Sequence, residues 1–150
     1  KAGLITVREH DRVGYLALHG SPAEAWERAQ PVVRSPIKRE AWTIPAPDAA
    51  AELHGFPLAG ASALACYTLL ADPRAPVYAA GLAQGVRQPG LIVVPEGTPG
   101  ASAWQLWSYP PPSFGDGRCV DSLSLTLTLR AEPDERIQIA LDALRAAFPW

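Results

Sequence analysis

The residues that most often carry chemistry are present in this chain but scattered. Three histidines (His10, His19, His54) and two cysteines (Cys66, Cys119) stand singly, with no spacing from which a structural zinc site could be built. Ser62 sits in Gly60-Ala-Ser-Ala without a nucleophile elbow, so it reads as a small packing residue. His19 precedes Ser21-Pro22, beside a helix start where a ring could meet an anion; an exposed turn histidine is the plainer reading. Asp116 and Asp121 flank a loop that also holds Arg118. With Lys38 they form the one set that could serve a degenerate nuclease-like or hydrolytic centre. There the carboxylates would hold a hard cation and the lysine would stabilise charge on a phosphate. A third oxygen ligand is missing, as are a phosphate loop and a dinucleotide fingerprint. No catalytic residue, metal ligand or cofactor is therefore assigned, and the balance leans away from an enzyme.

Binding features are clearer. Arg34, Lys38 and Arg39 gather three cations around Pro36, a pattern suited to an acidic partner or simply to a solvated loop. Trp42 follows closely. Trp104 and Trp107 differ by three, so in a strand they point to opposite faces. One is expected in the core and the other, Trp107, on a surface available to a partner. The expected partner-binding set is thus Arg34, Lys38, Arg39, Trp42 and Trp107. The alternative is a small-molecule sensor with a pocket lined by Trp42, Tyr67, Tyr78 and Trp104.

The composition sets the frame for these residues. A length of 150 residues suits a single globular domain, and 48% hydrophobic with 19% charged residues excludes a disordered tail. A net charge of −2 excludes nucleic-acid binding by overall electrostatics. No apolar run is long enough to span a membrane. No leader pattern is visible and position 1 is not methionine, so the expectation is a piece of a longer protein. Two cysteines without a leader argue against a disulfide framework and for a reducing cytoplasm, with Cys66 a buried thiol on an apolar helix face.

Sixteen prolines keep every regular element short. Residues 4–7 and 13–18 read as strands of a hairpin turning between Arg8 and Arg12. Ser21, Pro22 and Glu24 spell a capping box at a helix start, and Pro31 ends that helix. A strand is expected over 40–44, then a loop with one helical turn near Asp48 over 45–58. A buried helix over 59–71 is stopped by Asp72-Pro73. Strands follow at 76–80, 91–94 and 104–109, the last two pairing antiparallel across Gly97-Thr-Pro-Gly100. Residues 110–118 form an irregular loop. Residues 122–129 alternate with period two and read slightly in favour of a strand, although Asp121 would also cap a helix. The final helix starts at Pro133 to Glu135 and carries the stripe Ile137, Leu141, Leu144 and Phe148. The result is an α+β domain with a mostly antiparallel or mixed sheet of five to six short strands. Two to three helices pack on it, those at 59–71 and 134–148 among them.

Four segments carry a family resemblance: Ser35-Pro-Ile-Lys-Arg-Glu-Ala-Trp42, Ala59-Gly-Ala-Ser-Ala-Leu64, Val120-Asp-Ser-Leu-Ser-Leu-Thr-Leu-Thr-Leu129 and Asp134-Glu-Arg-Ile-Gln-Ile-Ala-Leu141. Together they resemble the C-terminal domain of bacterial AbiEi-like proteins, the antitoxin and transcriptional-regulator side of abortive-infection toxin–antitoxin systems. The resemblance implies a helix at each of the second and third segments, the third in conflict with the alternation at 122–129. It also implies a preceding winged helix-turn-helix that does the DNA binding. The implied role is non-catalytic binding of a nucleotidyltransferase-like toxin, an attached DNA-binding module or a second copy, in the cytoplasm and without a membrane.

Overall fold

The computed structural model describes residues 3, 5–10, 13–44, 56–71, 73, 75–86 and 90–150. The chain divides into two compact units, Lys1–Arg34 with Pro149–Trp150, and Ser35–Phe148. The expected helical turn near Asp48 falls outside the described residues.

In the first unit, strands β1 (Ile5–His10) and β2 (Val13–Leu18) form an antiparallel hairpin with Ile5 opposite Leu18 and Val7 opposite Leu16. These four apolar side chains share one face of the ribbon, and all are exposed. Helix α1 (Pro22–Ala29) begins as its sequence dictates. Ser21 Oγ accepts the Glu24 N–H at 3.2 Å, and the Glu24 carboxylate accepts the Ser21 N–H at 2.8 Å. This reciprocal cap satisfies two helix-end donors, and proline at the first helical position loses no hydrogen bond.

The second unit is built on a four-stranded sheet in the order β4-β6-β3-β5. Strand β3 spans Ile37–Ile44, β4 Val77–Gly81, β5 Ile92–Val94 and β6 Ser102–Trp107. β4 runs parallel to β6; the other pairs are antiparallel. β3 starts earlier than its apolar run, and a register irregularity between Ile37 and Arg39 takes up Lys38. β5 and β6 do not form the expected hairpin. Trp42, Thr43 and Ile44 pair with β5, so β3 lies between them. β6 has no exposed residue and lies inside the sheet, where both of its edges are hydrogen-bonded.

The expectation that Trp107 faces a partner is corrected by the burial. Trp104 and Trp107 do point to opposite faces, yet both are fully buried, because each face of β6 has its own core. Trp104 packs with Phe56, Tyr78, Ala80 and Leu106, and its indole N–H donates to Thr43 Oγ1 at 2.9 Å. Trp107 packs under three α-helices described in this unit: α2 (Gly60–Tyr67), α3 (Ser122–Leu129) and α4 (Glu135–Ala146).

α2 ends a turn short of Asp72-Pro73. Thr68 is extended, and its hydroxyl donates to the Leu64 carbonyl at 2.7 Å, closing the last turn. At its start, Gly60 has φ +51°, and a Cβ there would meet Val77 Cγ1 at 3.3 Å, so the position requires glycine. Segment 122–129 is a helix and not a strand. Asp121 caps it by accepting the Ser124 N–H at 2.8 Å. The interposed hydroxyls return to the helix's own carbonyls, Thr126 to Ser122 at 2.9 Å and Thr128 to Leu125 at 2.8 Å. Thr126 is therefore buried without penalty and Thr128 half-buried, and the polar positions do not mark a solvent face.

Leu125→Ala should therefore cost about 2–5 kcal/mol, and Asp121→Ala, which removes only the cap, about 1 kcal/mol. Urea unfolding followed by circular dichroism measures both; a neutral Asp121→Ala would be the result expected of a strand.

Candidate functional site

The site begins with backbone pairing beyond the edge of the sheet. Residues 57–59 run along β4, with the Ala59 N–H on the Val77 carbonyl (2.8 Å) and the Ala79 N–H on the Pro57 carbonyl (2.9 Å). Residues 118–120 continue the ladder, the Leu58 N–H reaching Arg118 O (2.8 Å) and the Val120 N–H reaching Leu58 O (2.9 Å). The loop before them is tight. A Cβ on Gly115 would lie 2.5 Å from the Cys119 carbonyl oxygen, so only glycine fits. Asp116 Oδ1 accepts the N–H groups of Arg118 at 2.9 Å and Cys119 at 3.0 Å. These two backbone donors, first Cys119 and then Arg118, hold its carboxyl below the usual aspartate range.

This ladder carries Cys119 to the last turn of α2, where it is joined to Cys66 by a disulfide. The expectation of a separate, buried Cys66 thiol is overturned: Cys66 is on the exposed side of α2, and only Cys119 is buried. The pair closes a loop of 53 residues, a constraint on the unfolded chain of roughly 4 kcal/mol by chain-entropy reasoning. Next to it, the Tyr67 hydroxyl donates to the Val120 carbonyl at 2.8 Å. Burial, with the nearby negative charges of Asp116 and Asp121, pushes the Tyr67 hydroxyl above its ordinary value, so it stays a donor at neutral pH.

Beyond Tyr67 the chain leaves the helix and forms one wall of an open groove of about 600 Å³; α4 forms the other. The walls are apolar, with Leu69, Leu70, Ile139, Ala143 and Leu144 the main contributors. Leu69 and Ile139 are exposed, although a leucine and an isoleucine in this position could have been core. Among the described lining residues Arg136 is the one that is charged, and it is held by Asp134 in an ion pair of 2.8 Å. A surface of this volume and polarity is suited to binding an apolar side chain or ligand. Its described lining holds two hydroxyls, Tyr67 and Thr68, each donating to a backbone carbonyl, and no histidine or carboxylate.

The residues singled out in the sequence are distributed as follows. Arg34 belongs to the first unit, Lys38 and Arg39 to the second, and all three are exposed. Trp42 is half-buried on β3, on the sheet face opposite Trp104, since it pairs with Ala103 while Ala41 pairs with Trp104. Of the alternative pocket, Tyr78 and Trp104 meet with ring centroids 5.2 Å apart, both buried. Trp42 is on the other face and Tyr67 is at the end of α2, so the four rings do not enclose one cavity. The hydrolytic set is not assembled either. Asp116 is bound to its own loop, Asp121 caps α3, and Lys38 makes no hydrogen bond or ion pair to them. Among the described residues no group of three acidic, histidine or cysteine side chains could hold a metal ion. Ser62 is buried and accepts the Val77 N–H at 3.1 Å, a structural role. His19 meets Thr6 in a side-chain hydrogen bond within the first unit.

Of the groove residues the sequence singles out Tyr67, as a pocket candidate, and Leu144, in the stripe of the last helix, but not Leu69, Leu70 or Ile139. Their signal was the Leu69-Leu70 pair next to a helix stop, and Ile139 beside the stripe of the last helix. Comparison with protein-family models, with curated proteins and with solved structures finds no match.

The Asp116 turn has a pH signature. A carboxyl whose folded value lies below its ordinary 3.8 contributes stability that is complete above that value and is lost as pH falls through the folded one. Asp116→Asn keeps an acceptor but cannot titrate, so its stability should vary less with pH below about 4 than that of the unmodified chain. Acid unfolding of the two proteins, followed by tryptophan fluorescence, measures the difference.

Proposed function

We propose that this chain is a non-catalytic regulatory and protein-interaction domain of a bacterial AbiEi-like transcriptional regulator, the antitoxin side of a toxin–antitoxin pair. The observation that carries the reading is the apolar groove between the end of α2 and α4, with Leu69 and Ile139 exposed on its walls. The dispersal of the titratable residues supports binding over catalysis. The helical form of Gly60–Leu64 and of the segment after Asp121 agrees with what the family resemblance implies. DNA contact in such a regulator belongs to a separate N-terminal module, and Lys38 and Arg39 of the second unit add charge for an acidic partner. The working location is the cytoplasm; no described helix is long and apolar enough to cross a membrane.

The partner proposed for the groove is a nucleotidyltransferase-like toxin. Co-expression of the chain with the protein of that type encoded beside its gene, followed by size-exclusion chromatography, tests it. Co-elution is expected, and Leu69→Asp and Ile139→Asp, which place a charge on an apolar wall, should weaken the complex by roughly tenfold or more. Separate elution of the unmodified proteins at micromolar concentration overturns the toxin reading. Self-association, or binding to the regulator's own DNA-binding module, would instead assign the groove to those occupants.

A further inference from the structure

We infer that Cys66 and Cys119 form a reversible redox latch on one wall of the apolar groove. The inference rests on the reading of the groove as a binding surface and extends it to regulation. Structural disulfides are rare in a reducing compartment, and those found there are mostly transient and redox-sensing. The placement of this pair fits that role. Cys66 is the last residue but one of α2, and the groove wall, Tyr67 to Leu70, follows it directly. Wall residue Leu69 is fully exposed and so adds no anchoring of its own. Apart from the disulfide, the wall is tied down by the Tyr67 hydroxyl on the Val120 carbonyl, the Thr68 hydroxyl on Leu64, and the partial burial of Leu70. Both ties to segment 119–120, covalent and hydrogen-bonded, originate at adjacent residues of α2.

The two sulfurs differ in access, which orders the chemistry. Cys66 is exposed and Cys119 is buried. A low-molecular-weight thiolate attacks Cys66 Sγ, forming a mixed disulfide there. The electron pair of the broken bond leaves on Cys119 Sγ, which takes a proton from water. A second thiolate then attacks the sulfur of the small thiol in the mixed disulfide. The products are the free Cys66 thiolate and the oxidised small disulfide. Reoxidation by a small disulfide reverses both steps. Of the pair only Cys119 belongs to a core, and as a protonated thiol it keeps that buried place.

The test needs no partner protein. The purified chain is oxidised with glutathione disulfide or reduced with dithiothreitol. Free thiols are counted by iodoacetamide labelling after denaturation in urea and mass spectrometry, and amide hydrogen exchange is mapped in both states without denaturant. No label is expected in the oxidised chain and two labels in the reduced one. The reduced chain should remain folded, with Tm lower by roughly 5–15 °C and exchange at 67–70 faster by roughly tenfold while β6 stays protected. A Cys66→Ser/Cys119→Ser variant should match the reduced chain and ignore oxidant. Two labels after oxidation, unchanged exchange at 67–70 on reduction, or global unfolding on reduction would each overturn the latch. The last of these would make the pair a structural staple. These outcomes are independent of whether any toxin binds, so failure of the latch and failure of the proposed partner are separately visible.

Discussion

Strand β6 has to supply two cores at once, and the second unit depends on how it does so. Its neighbours β4 and β3 satisfy its backbone on both edges, and its side chains are almost entirely withdrawn from water. Trp104 and Trp107, three positions apart, cannot share a face in a strand. Two large aromatic surfaces thus demand cover on opposite sides. A buried indole also needs a partner for its N–H. Trp104 finds Thr43 on the neighbouring strand at 2.9 Å, and Trp107 finds Gln105 on its own strand at 3.3 Å. That accounts for otherwise unexpected polar residues, Thr43 and Gln105, inside the sheet.

The two covers are unlike, and the difference places the site. Over Trp104 the cover is a layer of aromatic and small side chains, with Phe56 edge-on to the indole at a centroid distance of 5.1 Å. Over Trp107 the cover is helical. α2, α3 and α4 turn Leu64, Leu125, Leu129 and Leu141 inward, and the Gln138 side chain ties α4 to the end of α3 through the carbonyls of Leu129 and Glu132. Helices packed this way leave their far ends proud of the core. The apolar groove lies where the end of α2 diverges from α4. The ladder of backbone pairs outward from β4 then supplies that divergent end with its tether, the disulfide and the Tyr67–Val120 hydrogen bond. Packing, groove and tether are thus successive consequences of burying one strand on both sides.

The elements whose cause is local were legible in the residues. The Ser21–Glu24 box, the Asp134 cap and the stripe of the last helix each involve partners two to four positions apart, so their order in sequence is their order in space. The β1–β2 hairpin is equally local, and its register follows from the two runs themselves. Period-two hydropathy at 122–129 misled because serine and threonine hydroxyls can bond back to helix carbonyls. Alternation of residue type is then not alternation of environment.

By itself, then, the sequence determined the α+β character and the starts of α1, α2 and α4. The tertiary structure alone decided that β3 separates β5 from β6, that Trp107 is as buried as Trp104, that Cys66 meets Cys119, and that Leu69 faces Ile139's helix across a groove. The physical reason is range. Caps and periodicities are settled within a turn or a strand. Strand order and the meeting of residues 53 apart follow from covering two faces and satisfying every buried backbone group together.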